Sequence, residues 1–364
     1  MKNIDSTDRE RDLSMDILRV IACFMVINMH VVSDGIYESW SNEKIALAVI
    51  DCVSVIAVPL FLMLSGAFSN NEKISKALKK AIFLFALYVF FKLFYNLTDC
   101  LLYEGGISWD SLYYSYRITD LTSYKYHLWF LPEFIVVILF SPILNLANKH
   151  NSKLSGYLAI LFVVYSIIMP STVPIRIWGD VKINIVGALL EAVPFSLPMG
   201  IGYYCLGKTI YHAVKNGGFF KKKEIMIAMV VGVLWIIANV IISERTINRS
   251  ELNDSFDYSL LGRTGLSVFI AAVLFFLFFS VLSFESKWLR HLLDIIVPNI
   301  LFIYLIHPVF IDLLTYKFGF VSLSFNPALS VPLKVCLVFI LSFIVSLPIT
   351  NILKLVGRKT DKQT

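Results

Sequence analysis

The stretch RVIACFMVINMH, residues 19–30, is apolar almost throughout, yet it opens with an arginine and closes with a histidine. Apolar residues continue on both sides of it, and about 20 such residues in helical form cross the hydrocarbon layer of a bilayer. An arginine inside that layer costs about 2.5 kcal/mol or more, so intramembrane polar residues face a protein interior or a watery cavity and mark function. Fold and site are therefore both to be read outward from this one segment.

The whole chain shares its character: 57% of its 364 residues are hydrophobic, 16% are charged, and the mean hydropathy is +0.74. Such a composition excludes a soluble globular protein. Apolar runs near residues 15–37, 45–68, 78–102, 128–147, 154–170, 183–207, 225–243, 262–284, 295–316 and 332–356 predict about ten transmembrane helices. Helices are expected because each satisfies its own backbone in lipid, and the alternating pattern of a barrel is missing. The expected fold is an all-α transmembrane bundle forming one domain over residues 13–356, with short tails at 1–12 and 357–364.

Roughly 20 of the Lys and Arg residues fall in the two tails and in alternate connections such as SNNEKISKALKK (69–80), against about 7 in the opposite loops, which predicts that both termini are cytoplasmic. The first span is too long for a cleaved signal peptide and lacks a small-residue cleavage site. The net charge of +6 then reflects topology and gives no reason to expect nucleic acid. Runs such as Lys221, Lys222 and Lys223 suit anionic membrane lipids, or else a polyanionic cofactor. The five cysteines show no paired spacing, so neither a disulfide framework nor a metal site is expected. The longer outer loops, 104–126, 171–182 and 244–260, hold Tyr and Trp that serve as interfacial anchors or as faces for a sugar.

Helix geometry relates the two polar residues of the opening stretch. Eleven steps of about 100° bring His30 to within about 20° of the azimuth of Arg19, roughly 16 Å further along the axis. Asp16, three residues before Arg19, lies near enough to pair with it, and Asn28 sits close to the same face as a hydrogen-bonding partner. Taken singly, Asp16 and Arg19 read as a buried ion pair or a snorkelling arginine, and His30 as a histidine satisfied by a neighbouring helix. Together they suit chemistry, because imidazole is the commonest general base and a guanidinium grips phosphate.

Other polar residues carry two readings each. His127 lies at an outer helix start, where an interfacial role competes with a site role. His307 precedes Pro308, and a proline frees a helical carbonyl that His307 can satisfy; a site role is the alternative. Glu133 and Glu191 are lone carboxyls that stay neutral if buried. Asp51, Lys92, Arg263 and Lys334 are most simply paired or near headgroups. Ser65 reads as a packing residue beside Gly66. Pro194, Pro198, Gly200 and Gly202 suggest a broken sixth helix.

Four segments bring a family into view. RDLSMDILRVIACFMVINMH (11–30) resembles the first helix of the membrane acyltransferase-3 family, whose Arg and His are separated by ten residues, as Arg19 and His30 are. VPLFLMLSGAF (58–68) is similar to that family's aromatic and Ser-Gly segment, YHLWFLPEFIVVILFSPIL (126–144) to its His-Leu-Trp-Phe helix opening, and IYLIHP (303–308) to its Tyr-Leu-x-His-Pro element. The four occur in the family's order.

The resemblance implies a multi-pass enzyme of the bacterial cytoplasmic membrane. It would move an acyl group, usually acetyl, from cytoplasmic acyl-CoA to a hydroxyl of a surface glycan or lipid-linked saccharide. His30 matches the catalytic histidine and Arg19 the essential arginine, with Asp16 as its partner. Ser65, Gly66, His127, Trp129, Tyr304 and His307 match other motif positions. Larger members carry an appended esterase-like or racemase domain that the chain is not expected to have.

On this reading the CoA nucleotide sits at a lysine-rich mouth that includes Lys79 and Lys80. Its pantetheine arm passes Arg19, Ser65 and Gly66, and the thioester lies near His30. Asn28, His127, Trp129, Glu133, Tyr304 and His307 are secondary or acceptor-side candidates. His30 either deprotonates the acceptor or forms a transient acyl-imidazole. Arg19 either holds the cofactor or polarises the carbonyl. The rival class is a transporter or flippase of lipid-linked sugar without acyl-transfer chemistry.

Overall fold

A computed structural model describes residues 12–38, 51, 53–70, 73–102, 126–168, 175–178, 181–183, 196–217, 223–230, 232–234, 237, 266–319 and 327–360. Among them the chain is helical apart from two short antiparallel strands, β1 (Ile175–Trp178) and β2 (Val181–Ile183). The helices are α1 (Leu13–Glu38), α2 (Ala57–Phe68), α3 (Ile74–Leu102), α4 (Phe130–His150) and α5 (Ser152–Ile168), then α6 (Ser196–Lys215), α7 (Leu266–Val281), α8 (Lys287–Ile296), α9 (Ile300–Asp312) and α10 (Pro327–Thr360). A 3₁₀ turn (Tyr126–Trp129) precedes α4, another (Val297–Asn299) joins α8 to α9, and a π turn (Leu313–Lys317) ends α9.

Helical residues fall inside every predicted apolar run. Among the described residues four segments are long and apolar enough to cross a membrane: Leu13–Val32, His127–His150, Lys287–Lys317 and Leu329–Leu355. Ala57–Phe68, Ser152–Phe162 and Val268–Val281 are shorter apolar helices. The predicted ninth span is longer than its apolar run, because Ser286 caps the start of α8 by accepting from Leu289 N at 3.3 Å. The sixth helix is unbroken from Ser196 onward. Its Pro198 lies in the first turn, where a missing N–H breaks no helical bond. Pro194, Glu191, Arg263, Lys221, Lys222 and most of the three outer loops lie outside the described residues.

The partition of residues is that of a protein dissolved in lipid. Ile82, Phe85 and Phe90 on α3, and Leu333, Ile340 and Ile344 on α10, are exposed, whereas Asp16, Glu133, Lys208, His307 and Lys334 are buried. In water such apolar surface would be a liability; in hydrocarbon it is the solvated face.

Helix α1 lies at the centre, packed on α2, α9 and α10. Its first turn is capped by Asp12, whose carboxylate accepts from Ser14 Oγ at 2.5 Å and Met15 N at 3.4 Å. One stripe of α1 (Met15, Leu18, Ala22, Val26) packs toward α2, and another (Cys23, Ile27, Val31) toward α9 and α10. Helices α2 and α6 approach backbone to backbone. A Cβ on Gly66 would lie 2.7 Å from the Tyr204 carbonyl carbon, and one on Gly207 would run into the Met63 backbone. This is the small-residue packing expected where lipid supplies no hydrophobic drive between helices.

Candidate functional site

Three histidines converge at one place from three elements: His30 from α1, His127 from the turn ahead of α4, and His307 from α9. Their ring centroids are 5.2 Å (His30–His307), 5.5 Å (His127–His307) and 6.1 Å (His30–His127) apart. All three are buried, His307 completely and His30 with 8% exposure. Sequence position alone favoured an interfacial His127; its place is inside the bundle, facing the other two.

The cluster is fixed by its surroundings. Pro308 has no N–H, so the carbonyl four residues earlier, that of Tyr304, lacks its helical donor. His307 Nδ1–H donates to that carbonyl at 2.7 Å. A carbonyl only accepts, so this bond puts the proton on Nδ1 and leaves Nε2 of the neutral ring as the basic nitrogen. The Tyr304 hydroxyl donates to the His127 carbonyl, fastening α9 to the turn ahead of α4. Tyr95 of α3 donates to the Leu305 carbonyl at 2.6 Å, and its ring meets His127 edge-on at 5.1 Å. Trp129 is half-buried, edge-on to Phe130 at 6.3 Å.

Arg19 lies elsewhere on α1. Its guanidinium pairs with buried Asp16, as the three-residue spacing predicts, and lies over the Phe68 ring at 4.6 Å from the centroid. Its side chain keeps 26% exposure, against 2% for Asp16. Lys80 of α3 is placed over Phe134 at 5.5 Å, and both it and Lys79 are exposed. Between the cations and the histidines runs a series of aromatic rings. Phe134 stacks on Phe130 at 5.4 Å, Phe130 meets Tyr304 at 5.9 Å, and Tyr304 meets His307 at 6.1 Å and His127 at 5.9 Å.

Other predicted residues take supporting places. Asn28 donates to Ser54 Oγ at 2.8 Å, tying α1 to the chain ahead of α2. Glu133 is buried on α4 against α6, where a Cβ on Gly200 would lie 2.9 Å from its Oε1. Ser65 is half-buried, and its neighbour Gly66 faces the Tyr204 backbone.

Tyr95, Asn145 and Tyr204 were not singled out in the sequence, and neither were two charged groups. Asp12 accepts from Tyr211 at 3.0 Å and pairs with Lys215 at 2.8 Å, joining the start of α1 to the end of α6. Burial alone would raise its carboxyl pKa, but the bonds from Lys215, Ser14 and Tyr211 together hold it below the ordinary value. The second group is buried Lys208, which donates to the Ser69 carbonyl at 2.6 Å and to Asn145 Oδ1 at 2.7 Å. A lone lysine in the apolar helix GIGYYCLGKTI was the available signal, by the same cost that drew attention to Arg19.

A family model described as an acyltransferase domain matches residues 12–350, nearly the whole chain. No curated protein and no solved structure matches it.

Proposed function

The chain belongs to the membrane acyltransferase-3 family, and from that premise we propose that it transfers an acetyl group from cytoplasmic acetyl-CoA to a hydroxyl of a surface glycan or its lipid-linked precursor. A membrane acyltransferase is what the family match gives; donor, acceptor and residue roles are the proposal. The observation that carries them is His30, buried within 5.2 Å of His307 and 6.1 Å of His127 by ring centroids, on the helix that also presents Arg19.

In the proposed reaction His30 takes the proton from the acceptor hydroxyl. The oxygen attacks the thioester carbonyl carbon, a C–O bond forms, and the C–S bond breaks. The CoA thiolate leaves and takes the proton back from the imidazolium. Arg19 and Lys80 supply positive charge for the donor's phosphates. The roughly 16 Å along α1 between Arg19 and His30 is on the order of an extended pantetheine arm. Burial in a lipid-embedded bundle keeps water from hydrolysing the donor. Ten spans with both termini in the cytoplasm of a bacterium, the multi-pass arrangement in the inner membrane, would put the cationic end on the side where acetyl-CoA is made.

The test is release of free CoA thiol from acetyl-CoA by the purified protein with acceptor-bearing membranes, alongside the mass of the acceptor. The expected product is heavier by one acetyl group, and His30→Ala abolishes both signals while the protein stays monodisperse. Thiol release and acceptor mass unchanged by His30→Ala would remove His30 from the chemistry. Sugar export without any thiol release would put the protein among transporters.

A further inference from the structure

The buried ammonium of Lys208 has no part in the chemistry above, although it occupies the junction of three helices. Its Nζ donates to the carbonyl of Ser69 at 2.6 Å, immediately beyond the last turn of α2, and to Asn145 Oδ1 of α4 at 2.7 Å. Asn145 in turn donates to Ser69 Oγ at 3.0 Å, and the Tyr204 hydroxyl of α6 donates to Asn145 Oδ1 at 3.0 Å. A cation so placed complements the negative end of the α2 dipole and binds the carbonyl of the residue that follows its last turn.

The residue just before Ser69 is Phe68, the ring on which the Arg19 guanidinium rests. Phe68 also meets Tyr211, one turn after Lys208 on α6, with ring centroids 5.1 Å apart. The network therefore grips the end of α2 at the point where that helix offers Arg19 its aromatic platform. At Gly66 and Gly207 the same two helices, α2 and α6, also meet backbone to backbone.

We infer that Lys208 is a positioning residue for the donor site: by anchoring Ser69 and Asn145 it sets Phe68, and through Phe68 the direction of the Arg19 guanidinium. It touches neither reacting atoms nor donor. The inference rests on the reading of Arg19 as the residue that holds acetyl-CoA.

The experiment is a cycle of Lys208→Met, Phe68→Leu and the double variant, read as separate KM values for acetyl-CoA and for the acceptor, with kcat. A charge-assisted bond to a positioned carbonyl predicts a rise of about tenfold in the acetyl-CoA KM for Lys208→Met, with kcat and acceptor KM within about twofold. The double variant matches the worse single variant, because both residues act through one platform. Lys208→Arg recovers part of the affinity.

Equal losses in kcat and both KM values, or factors that multiply in the double variant, would overturn the inference. If Lys208→Met does not fold, the isosteric Tyr204→Phe replaces it in the cycle. It is expected to raise the donor KM about threefold, and an unchanged KM overturns the inference equally. Failure of the underlying reading shows itself separately, as wild-type protein that turns over no acetyl-CoA.

Discussion

Gly66→Ala is the perturbation whose consequence follows most directly from the geometry. The new Cβ would lie 2.7 Å from the Tyr204 carbonyl carbon and 3.1 Å from its Cα, and these are backbone atoms that no rotamer change can move. The Tyr204 carbonyl oxygen is closer still, so restoring an ordinary contact of at least 3.4 Å requires α2 and α6 to part by more than the roughly 0.7 Å that the carbonyl carbon alone would demand. Overpacking of this kind costs about 3 kcal/mol. With about 2.1 cal/mol/K of unfolding entropy per residue, that lowers the thermal midpoint by about 4 °C.

Gly156→Ala is the internal control. Its Cβ would meet only Thr209 Cγ2, at an ordinary 3.7 Å, so better helix propensity should hold or slightly raise the midpoint, by about 1 °C. Both variants are to be measured in detergent by loss of monodisperse protein on heating, with the acetyl-CoA KM determined in parallel. A parting of α2 from α6 also moves Phe68 under Arg19, so the KM rises with the loss of stability. A Gly66→Ala protein with wild-type midpoint and wild-type KM would refute the tight crossing and its link to the proposed donor site.

Arg19→Lys keeps the charge but loses the flat guanidinium that rests on Phe68 and pairs with Asp16; turnover at limiting acetyl-CoA should fall by about 100-fold, read by thiol release. Pro308→Ala gives residue 308 an N–H that competes with His307 Nδ1 for the Tyr304 carbonyl. The thermal midpoint should rise while kcat falls by about tenfold, and a raised midpoint at full kcat would make the His307 bond dispensable. Asp12 has a folded carboxyl pKa below its ordinary 3.8, so its contribution to stability is fully present above pH 3.8 and is lost as pH falls through the lower folded value. Wild-type protein should therefore exceed Asp12→Asn in thermal midpoint at pH 5, and the gap should close as the pH is taken below 3.8.

What the sequence disclosed and what it hid divide along the range of the interactions. The Asp16–Arg19 pair spans three residues of one helix, and the shared face of Arg19 and His30 follows from 100° per residue, so both were legible from spacing. Pro308 likewise announced a freed carbonyl for His307, because a missing N–H acts four residues away in the same helix. The meeting of His30 with His127 and His307 was not legible in that way. It depends on how α1, α4 and α9 pack, and a histidine at a helix start looks the same whether it points to headgroups or into a bundle. The partners of Lys208 were hidden for the same reason, since the Ser69 carbonyl just beyond α2 and the Asn145 amide on α4 are not revealed by any periodicity on α6.

The fold also gives a reason why one helix would carry both ends of the proposed donor site. Helix α1 is packed on α2, α9 and α10, so its polar stripe cannot turn to lipid without exposing Asp16 and His30 together. Arg19 is held from the α2 side through Phe68, and the His30 region from the α9 side through His307, whose ring is pinned to its own backbone. Helix α4 and the turn ahead of it supply the wall between, where Phe134, Phe130 and the His127 carbonyl succeed one another toward Tyr304. Aromatic rings are apt for that wall because they fill space without polar groups that lipid or a thin acyl-pantetheine arm would leave unsatisfied. A charged side chain placed midway should therefore block the donor while sparing both ends. Phe130→Glu is the direct form of that change, and it should abolish turnover of acetyl-CoA without releasing Arg19 from Phe68.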